Sequence, residues 1–207
     1  MADKTTDQIP SADQEIAIQK LHESADAGNA EAQFRLGVIY GNGDGVPLDL
    51  DKALEFFNQS AKQGHESAVI TLAWMYANGS GVDVDERKSR ELYLLAADHG
   101  SSKAQYVVAT MYRFAQYGVE KDAAKAVHYY TLAANQGFAT AQFALGKMLV
   151  EGKMVEKDEM TALQWLSLAH ANGSKRAEEY ITHLLQRMSP EQLEQARLLM
   201  TGGQESS

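Results

Sequence analysis

The 207 residues are 44% apolar and 23% charged, with 28 acidic against 19 basic side chains and no cysteine. That is enough apolar material to bury a core and too much for a disordered chain, and the lack of cysteine excludes disulfides, thiolate nucleophiles and Cys-ligated metal sites. A formal net charge of −9 argues against sequence-independent nucleic-acid binding, which runs on phosphate neutralisation, and no apolar run approaches the roughly 20 residues of a membrane span.

Residues 1–10 have neither a basic nor an apolar region of the kind a signal peptide needs. A disordered tail is expected over 1–12 and a cytoplasmic location for the protein. From about residue 14 the chain repeats. Gly28, Gly64, Gly100, Gly137 and Gly173 are 36, 36, 37 and 36 residues apart. Four residues after each glycine stand Ala32, Ala68, Ala104, Ala141 and Ala177. Leu36, Leu72, Val108, Leu145 and Ile181 form a further column, and Tyr40, Tyr76, Tyr112, Leu149 and Leu185 another. Val46, Val82, Val119 and Val155 are each followed three residues on by Asp49, Asp85, Asp122 or Asp158. A period of this length is the mark of stacked supersecondary units.

Each unit is predicted to be two helices. Ala32, Leu36 and Tyr40 fall at i, i+4 and i+8, a helical stripe. Gly37, Ala73, Ala109 and Gly146 follow the leucine column, and a small residue there lets a neighbouring helix approach closely. Gly43 and Gly45, repeated as Gly79 and Gly81, allow the positive φ of a tight turn. The aspartate column reads as the N-cap of the second helix, with Lys52, Lys88 and Lys125 three residues on. That helix buries Ala53, Phe57 and Ala61, and the glycine at 64, 100, 137 or 173 ends it as the C′ residue.

The stretch over 30–64, AEAQFRLGVIYGNGDGVPLDLDKALEFFNQSAKQG, resembles a Sel1-like repeat, a relative of the tetratricopeptide repeat. Four full copies are expected at 29–64, 65–100, 101–137 and 138–173, with a capping second-helix half at 14–28 and a first-helix half at 174–188. Ser189, Pro190 and Gln192 read as N-cap, N1 proline and reciprocal N3 side chain of a capping helix over 190–200, amphipathic through Leu193, Ala196 and Leu199 or Met200. Residues 201–207 are expected to form a second disordered tail, and 13–200 a single domain. The resemblance implies an all-α, right-handed α-solenoid of stacked helix-turn-helix units. Departures are an extra residue in the third turn, with Gln116 where a glycine is usual, and Met154, Leu149 and His170 in the fourth repeat.

No residue pattern points to bond chemistry. None of the six histidines has metal-ligand spacing; His65-Glu66 begins an HExxH that Val69 leaves incomplete. The Gly-rich stretch over 41–45 has no strand before it and recurs as a repeat turn. No catalytic residue, metal or cofactor is expected, so function falls on the surface. In the arrangement the resemblance implies, first helices line a concave groove. Two variable columns lie there: Val38, Trp74, Thr110, Lys147 and His183, and Asn42, Asn78, Phe114, Glu151 and Arg187. With Arg113 these are the expected partner-binding residues, with Phe114 and Trp74 as aromatic anchors unless Trp74 packs between repeats as core. Phe56, Tyr129 and Trp165 sit on second helices and are expected to be packing or convex-surface residues.

The five first-helix segments carry seven basic and five acidic side chains, so the acidic excess lies elsewhere. The expectation is a mildly basic trough for a protein or peptide with an acidic or carboxylate-ended segment. The resemblance implies a non-enzymatic, bacterial adaptor, scaffold or inhibitory, immunity-type binder. Two alternatives differ in class. Cysteine-rich Sel1 proteins are associated with β-lactam binding or hydrolysis, but that version depends on disulfides. A self-associating oligomer would fill the groove with the tail of another copy.

Overall fold

Capping accounts for where most of the elements start and stop, the helices Ala139–Glu151 and Lys175–Leu185 beginning without a side-chain cap. The computed structural model describes residues 11–202, with side chains through Leu198, and among the described residues it has eleven α-helices and no strand. They are α1 (Ala12–Asp26), α2 (Ala30–Asn42), α3 (Leu50–Lys62), α4 (Glu66–Asn78), α5 (Glu86–Asp98), α6 (Ser102–Phe114), α7 (Ala123–Asn135), α8 (Ala139–Glu151), α9 (Glu159–Ala171), α10 (Lys175–Leu185) and α11 (Pro190–Gly202). Of the expected tails, Ser11 and Ala12 cap and open α1, and Thr201 and Gly202 close α11; the remainder lies outside the described residues.

The periodic glycines are left-handed, from φ 79° at Gly64 to φ 94° at Gly173. At Gly64 the His65 N–H donates to the Ser60 carbonyl at 3.3 Å and the Gly64 N–H to Ala61 at 2.9 Å, a Schellman pair that satisfies carbonyls at the end of α3. The same two bonds recur at Gly28, Gly137 and Gly173. The next residue opens the following helix. Asn29, His65 and Ser101 accept from the N–H groups of Ala32, Ala68 and Ala104 at 2.9, 3.3 and 3.2 Å. A C-cap residue, one glycine and one N-cap thus join the two helices. The alanine column is the N3 position of each first helix.

The second kind of turn is closed by the aspartates. Asp49, Asp85 and Asp122 accept from the N–H three residues on at 2.9–3.0 Å. Asp158 accepts from Met160 and Thr161. Their own N–H groups donate back to the carbonyls of Tyr40, Tyr76, Tyr112 and Leu149. Gly43, Gly79 and Gly152 hold the left-handed position after the first helix, and in the third repeat Ala115 (φ 54°) takes it. The glycine substitution is therefore at Ala115, not at Gln116: the 36-residue register aligns 115 with 43 and 79, and the extra residue comes after it. Met154 keeps the left-handed conformation of the glycine it replaces, at φ 70°.

The chain divides into two compact units, Met1–Ala96 and Ala97–Ser207. In the first, α2 and α3 form a hairpin that buries Ala53 and Phe57 with Leu72 and Met75 of α4, and α1 covers Ala32 and Leu36. In the second, α6, α7 and α8 enclose Ala109, Tyr130, Leu145 and Met148, and α9 to α11 enclose Leu163, Leu166, Leu184 and Ala196. The small-residue column works as expected: a Cβ on Gly37 would lie 2.6 Å from the Phe57 ring, and one on Gly146 2.6 Å from Cγ of Leu166. On α11 the Ser189 N–H donates to Gln192 Oε1 at 2.9 Å and the Gln192 N–H to Ser189 Oγ at 3.3 Å, the reciprocal box. Ala196 is buried, whereas Leu193 is exposed.

A polar ladder runs through the apolar layers. Gln33, Gln105 and Gln142 are buried and donate to the carbonyls of Ala25, Ala97 and Ala134 at 3.0–3.2 Å. Their own carbonyl oxygens accept from Gln63, Gln136 and Asn172 at 2.7–3.0 Å. Each such glutamine ties the end of the preceding helix to the end of the following one, so these buried amides are satisfied.

Candidate binding surfaces of the first helices

In the first unit, α2 and α4 present their variable columns side by side above α3. Between them lies a cleft of about 180 Å³, walled by Val38 and Asn42 of α2, Ala53 and Phe57 of α3, and Thr71 and Trp74 of α4. Gly41, Leu50, Met75 and Ser80 complete it. Trp74 is 52% exposed, so its ring forms the wall and is not consumed by the core. Asn42 points away toward Asp44 Oδ2 at 3.1 Å, and Asn78 folds back onto the Trp74 carbonyl at 2.8 Å. With both amides engaged elsewhere, the cleft is apolar at its floor, a shape suited to one large apolar side chain.

In the second unit the remaining expected residues stand on three helices. On α6, Phe114 is 58% exposed, with the Arg113 guanidinium 5.0 Å from its ring centroid. The Thr110 hydroxyl is held by the Tyr106 carbonyl at 2.9 Å and the Tyr130 hydroxyl at 3.2 Å. Burial, with Tyr130 beside it, pushes the Tyr106 phenol up, so the ring stays neutral. On α8, Lys147 pairs with Glu151 at 3.7 Å and Lys153 joins the same carboxylate at 3.4 Å. On α10 and just beyond it, His183 and Arg187 are exposed. The structure therefore brings Val38, Asn42 and Trp74 together around one cleft. Arg113 is grouped with Phe114, and Lys147 with Glu151.

Some of the expected positive charge is balanced within the helices. Arg35 pairs with Glu31 one turn away, and Glu31 Oε2 also meets His65 Nε2 at 3.0 Å. The hydrogen bond from Arg35, then that from His65, holds the Glu31 carboxyl below its usual range. Phe56, Tyr129 and Trp165 pack: Phe56 stacks on Tyr40 at 5.8 Å and Tyr129 on Tyr112 at 6.2 Å, while Trp165 lies half-buried against the Tyr130 cluster. Gly41, Leu50 and Thr71 were missed as cleft residues. Gly41 lies inside α2 and not in the turn expected over 41–45. Among the described residues no group of three His, Asp or Glu side chains is placed to hold a metal, and no helix is long and apolar enough to cross a membrane.

Stacked helical hairpins joined by a left-handed glycine on one side and an aspartate-capped turn on the other define the α-solenoid class. The Sel1 repeat model matches residues 30–65, 68–101, 102–138 and 139–174, and the chain belongs to the Sel1 repeat family. Among solved structures it is 32% identical, with a TM-score of 0.78, to a protective antigen present in uropathogenic Escherichia coli strains that displays an SLR fold. That match covers 82% of this chain and 36% of the antigen, so the chain spans about a third of the antigen's length. A Sel1 repeat protein from Oxalobacter formigenes is 29% identical at a TM-score of 0.78, over 91% of this chain and 79% of its own. An immunity protein from Pseudomonas aeruginosa shares the fold at 20% identity and a TM-score of 0.55, over 94% of this chain and 77% of its own. No curated protein matches the chain.

Proposed function

We propose that the protein is a binding module that takes a protein or peptide partner on the exposed faces of its first helices and performs no bond chemistry. The observation that carries this reading is the cleft beside Trp74: an exposed indole over an apolar floor, at a register position where the repeats differ. Aromatic anchors beside a desolvated pocket are where binding energy concentrates. Membership of a repeat family whose members generally serve protein–protein interaction supports it. In the second unit the proposal extends to Phe114 and Arg113, and to Lys147, His183 and Arg187 for an acidic segment of the partner, with Glu151 as the neighbour that pairs with Lys147. The inhibitory, immunity-type version is one form of this reading.

A photo-crosslinking residue in place of Asn42, at the rim of the cleft, would capture the partner in the native cell for identification. Binding of the purified partner is then read from Trp74 fluorescence in a Trp165→Phe background, where the indole is the sole tryptophan. Trp74→Ala, followed by calorimetry, should weaken binding about tenfold or more, the loss of a hot spot. An affinity unchanged by Trp74→Ala would rule the cleft out as the anchor. Binding that stays flat as salt rises from low to about 0.5 M would remove the acidic-segment part alone.

A further inference from the structure

We propose that the turn end of the fourth repeat is a receptor for a lysine side chain from a basic segment of a partner protein. In the first three repeats the equivalent place is filled from within. Lys52, Lys88 and Lys125 lie over the rings of Tyr40, Tyr76 and Tyr112, with ammonium-to-centroid distances of 5.0, 4.1 and 4.9 Å. Lys52 and Lys125 also reach the capping carboxylates of Asp49 and Asp122 at 3.5 and 3.7 Å. Lys88 instead donates to the Tyr76 hydroxyl at 2.6 Å.

The fourth repeat keeps the turn and loses the filling. Asp158 still caps α9, and its N–H still donates to the carbonyl of residue 149, at 3.2 Å. But Leu149 stands for the tyrosine and Thr161 for the lysine. Thr161 replaces the hydrogen bond, donating from Oγ1 to Asp158 Oδ2 at 2.6 Å, and brings no cation over residue 149. Beside Leu149 and Asp158 lies an open cleft of about 710 Å³ that also takes in Val155, Glu159, Met160 and, from α11, Gln192.

Its walls have the chemistry of what is missing. Leu149, Val155 and Met160 offer apolar surface to a four-carbon stem, which a lysine buries while its head stays wet. Glu156, Asp158 and Glu159 line the cleft against two cations: Lys157, which already pairs with Glu159 at 2.6 Å, and Arg187, whose charge also acts on Glu159. An incoming carboxylate meets like charge there, whereas an ammonium meets a surplus of carboxylates. The site lies on the turn end of the second unit, apart from the Trp74 cleft of the first, and stands or falls independently of it.

The test is an amide-resolved NMR titration with a short acetylated peptide of alternating alanine and lysine, against the same peptide with norleucine for lysine. Saturable shifts at Glu159, Thr161 and Gln192 are expected with the lysine peptide, fading toward about 0.5 M salt, and none with norleucine. Leu149→Tyr together with Thr161→Lys rebuilds the internal filling and should weaken the lysine peptide about tenfold or more. Equal shifts from both peptides, no shifts at these residues, or undiminished binding by the folded double variant would overturn the proposal. Should circular dichroism show that the double variant does not fold, Thr161→Lys alone makes the same comparison.

Discussion

Ser89 stands in a column that is otherwise alanine, namely Ala53, Ala126 and Ala162. All four are buried, and among the described residues the Ser89 hydroxyl has no hydrogen-bond partner. A buried hydroxyl that has left water without replacement destabilises the fold. Ser89→Ala should therefore raise stability by about 1 kcal/mol, seen as a higher urea midpoint at unchanged slope; a lower midpoint would mean that the hydroxyl is satisfied. Met154 is the opposite case, a local cost that is offset. A left-handed conformation is costly for a side-chain-bearing residue, and the glycines at the equivalent turn position, Gly45 and Gly81, abut Gln14 and Leu50, where an added Cβ would come within 2.7 and 2.9 Å. In the fourth repeat the residue in register with Gln14 and Leu50 is Ala123. The smaller residue goes with room for Met154, whose side chain packs against the Tyr130 cluster.

At the scale of the element, helix limits were legible because backbone geometry dictates residue type. Only glycine reaches φ near 80° cheaply, and a short carboxylate is suited to cap free N–H groups, so both leave columns. The cleft beside Trp74 was half legible: Val38, Asn42 and Trp74 belong to variable columns, but Leu50, Thr71 and Ser80 enter it through packing between hairpins, which no spacing along the chain records. The glutamine ladder escaped for the same reason, since Gln33 and Gln63 meet only after α2 and α3 have stacked. Asp158 shows what a cap contributes. Its carboxyl is held below the ordinary aspartate range chiefly by the Thr161 hydroxyl, then by the Thr161 N–H. A depressed folded-state pKa means that the unfolded chain takes up the proton first. The stabilisation is therefore complete above the ordinary aspartate value and is lost as pH falls through the lower folded value. Asp158→Ala should cost about 1 kcal/mol near neutral pH, with the gap to wild type closing below about pH 4. Thermal melts of the two proteins across pH 2–7 check this, and a gap that stays constant into acid would show that the charge plays no part.

Across the whole molecule, the helix pairs that pack most are neighbours in the chain, such as α2 with α3, α6 with α7 and α8 with α9. Contacts this local make stability a property of each hairpin and its neighbours, not of one common core. Gly37→Ala tests that directly. The added methyl would overlap the Phe57 ring, which is buried and has little room to yield. Overpacking costs roughly 1–3 kcal/mol, and the gain in helix propensity returns about 1. A net loss near 1.4 kcal/mol corresponds to about tenfold faster amide exchange wherever opening is local. Hydrogen-exchange mass spectrometry should show that acceleration in α2 and α3, with α9 and α10 exchanging at their original rates. Equal acceleration in all four helices would mean that the chain opens as one cooperative body, and the account of hairpins stabilised by their neighbours would fail.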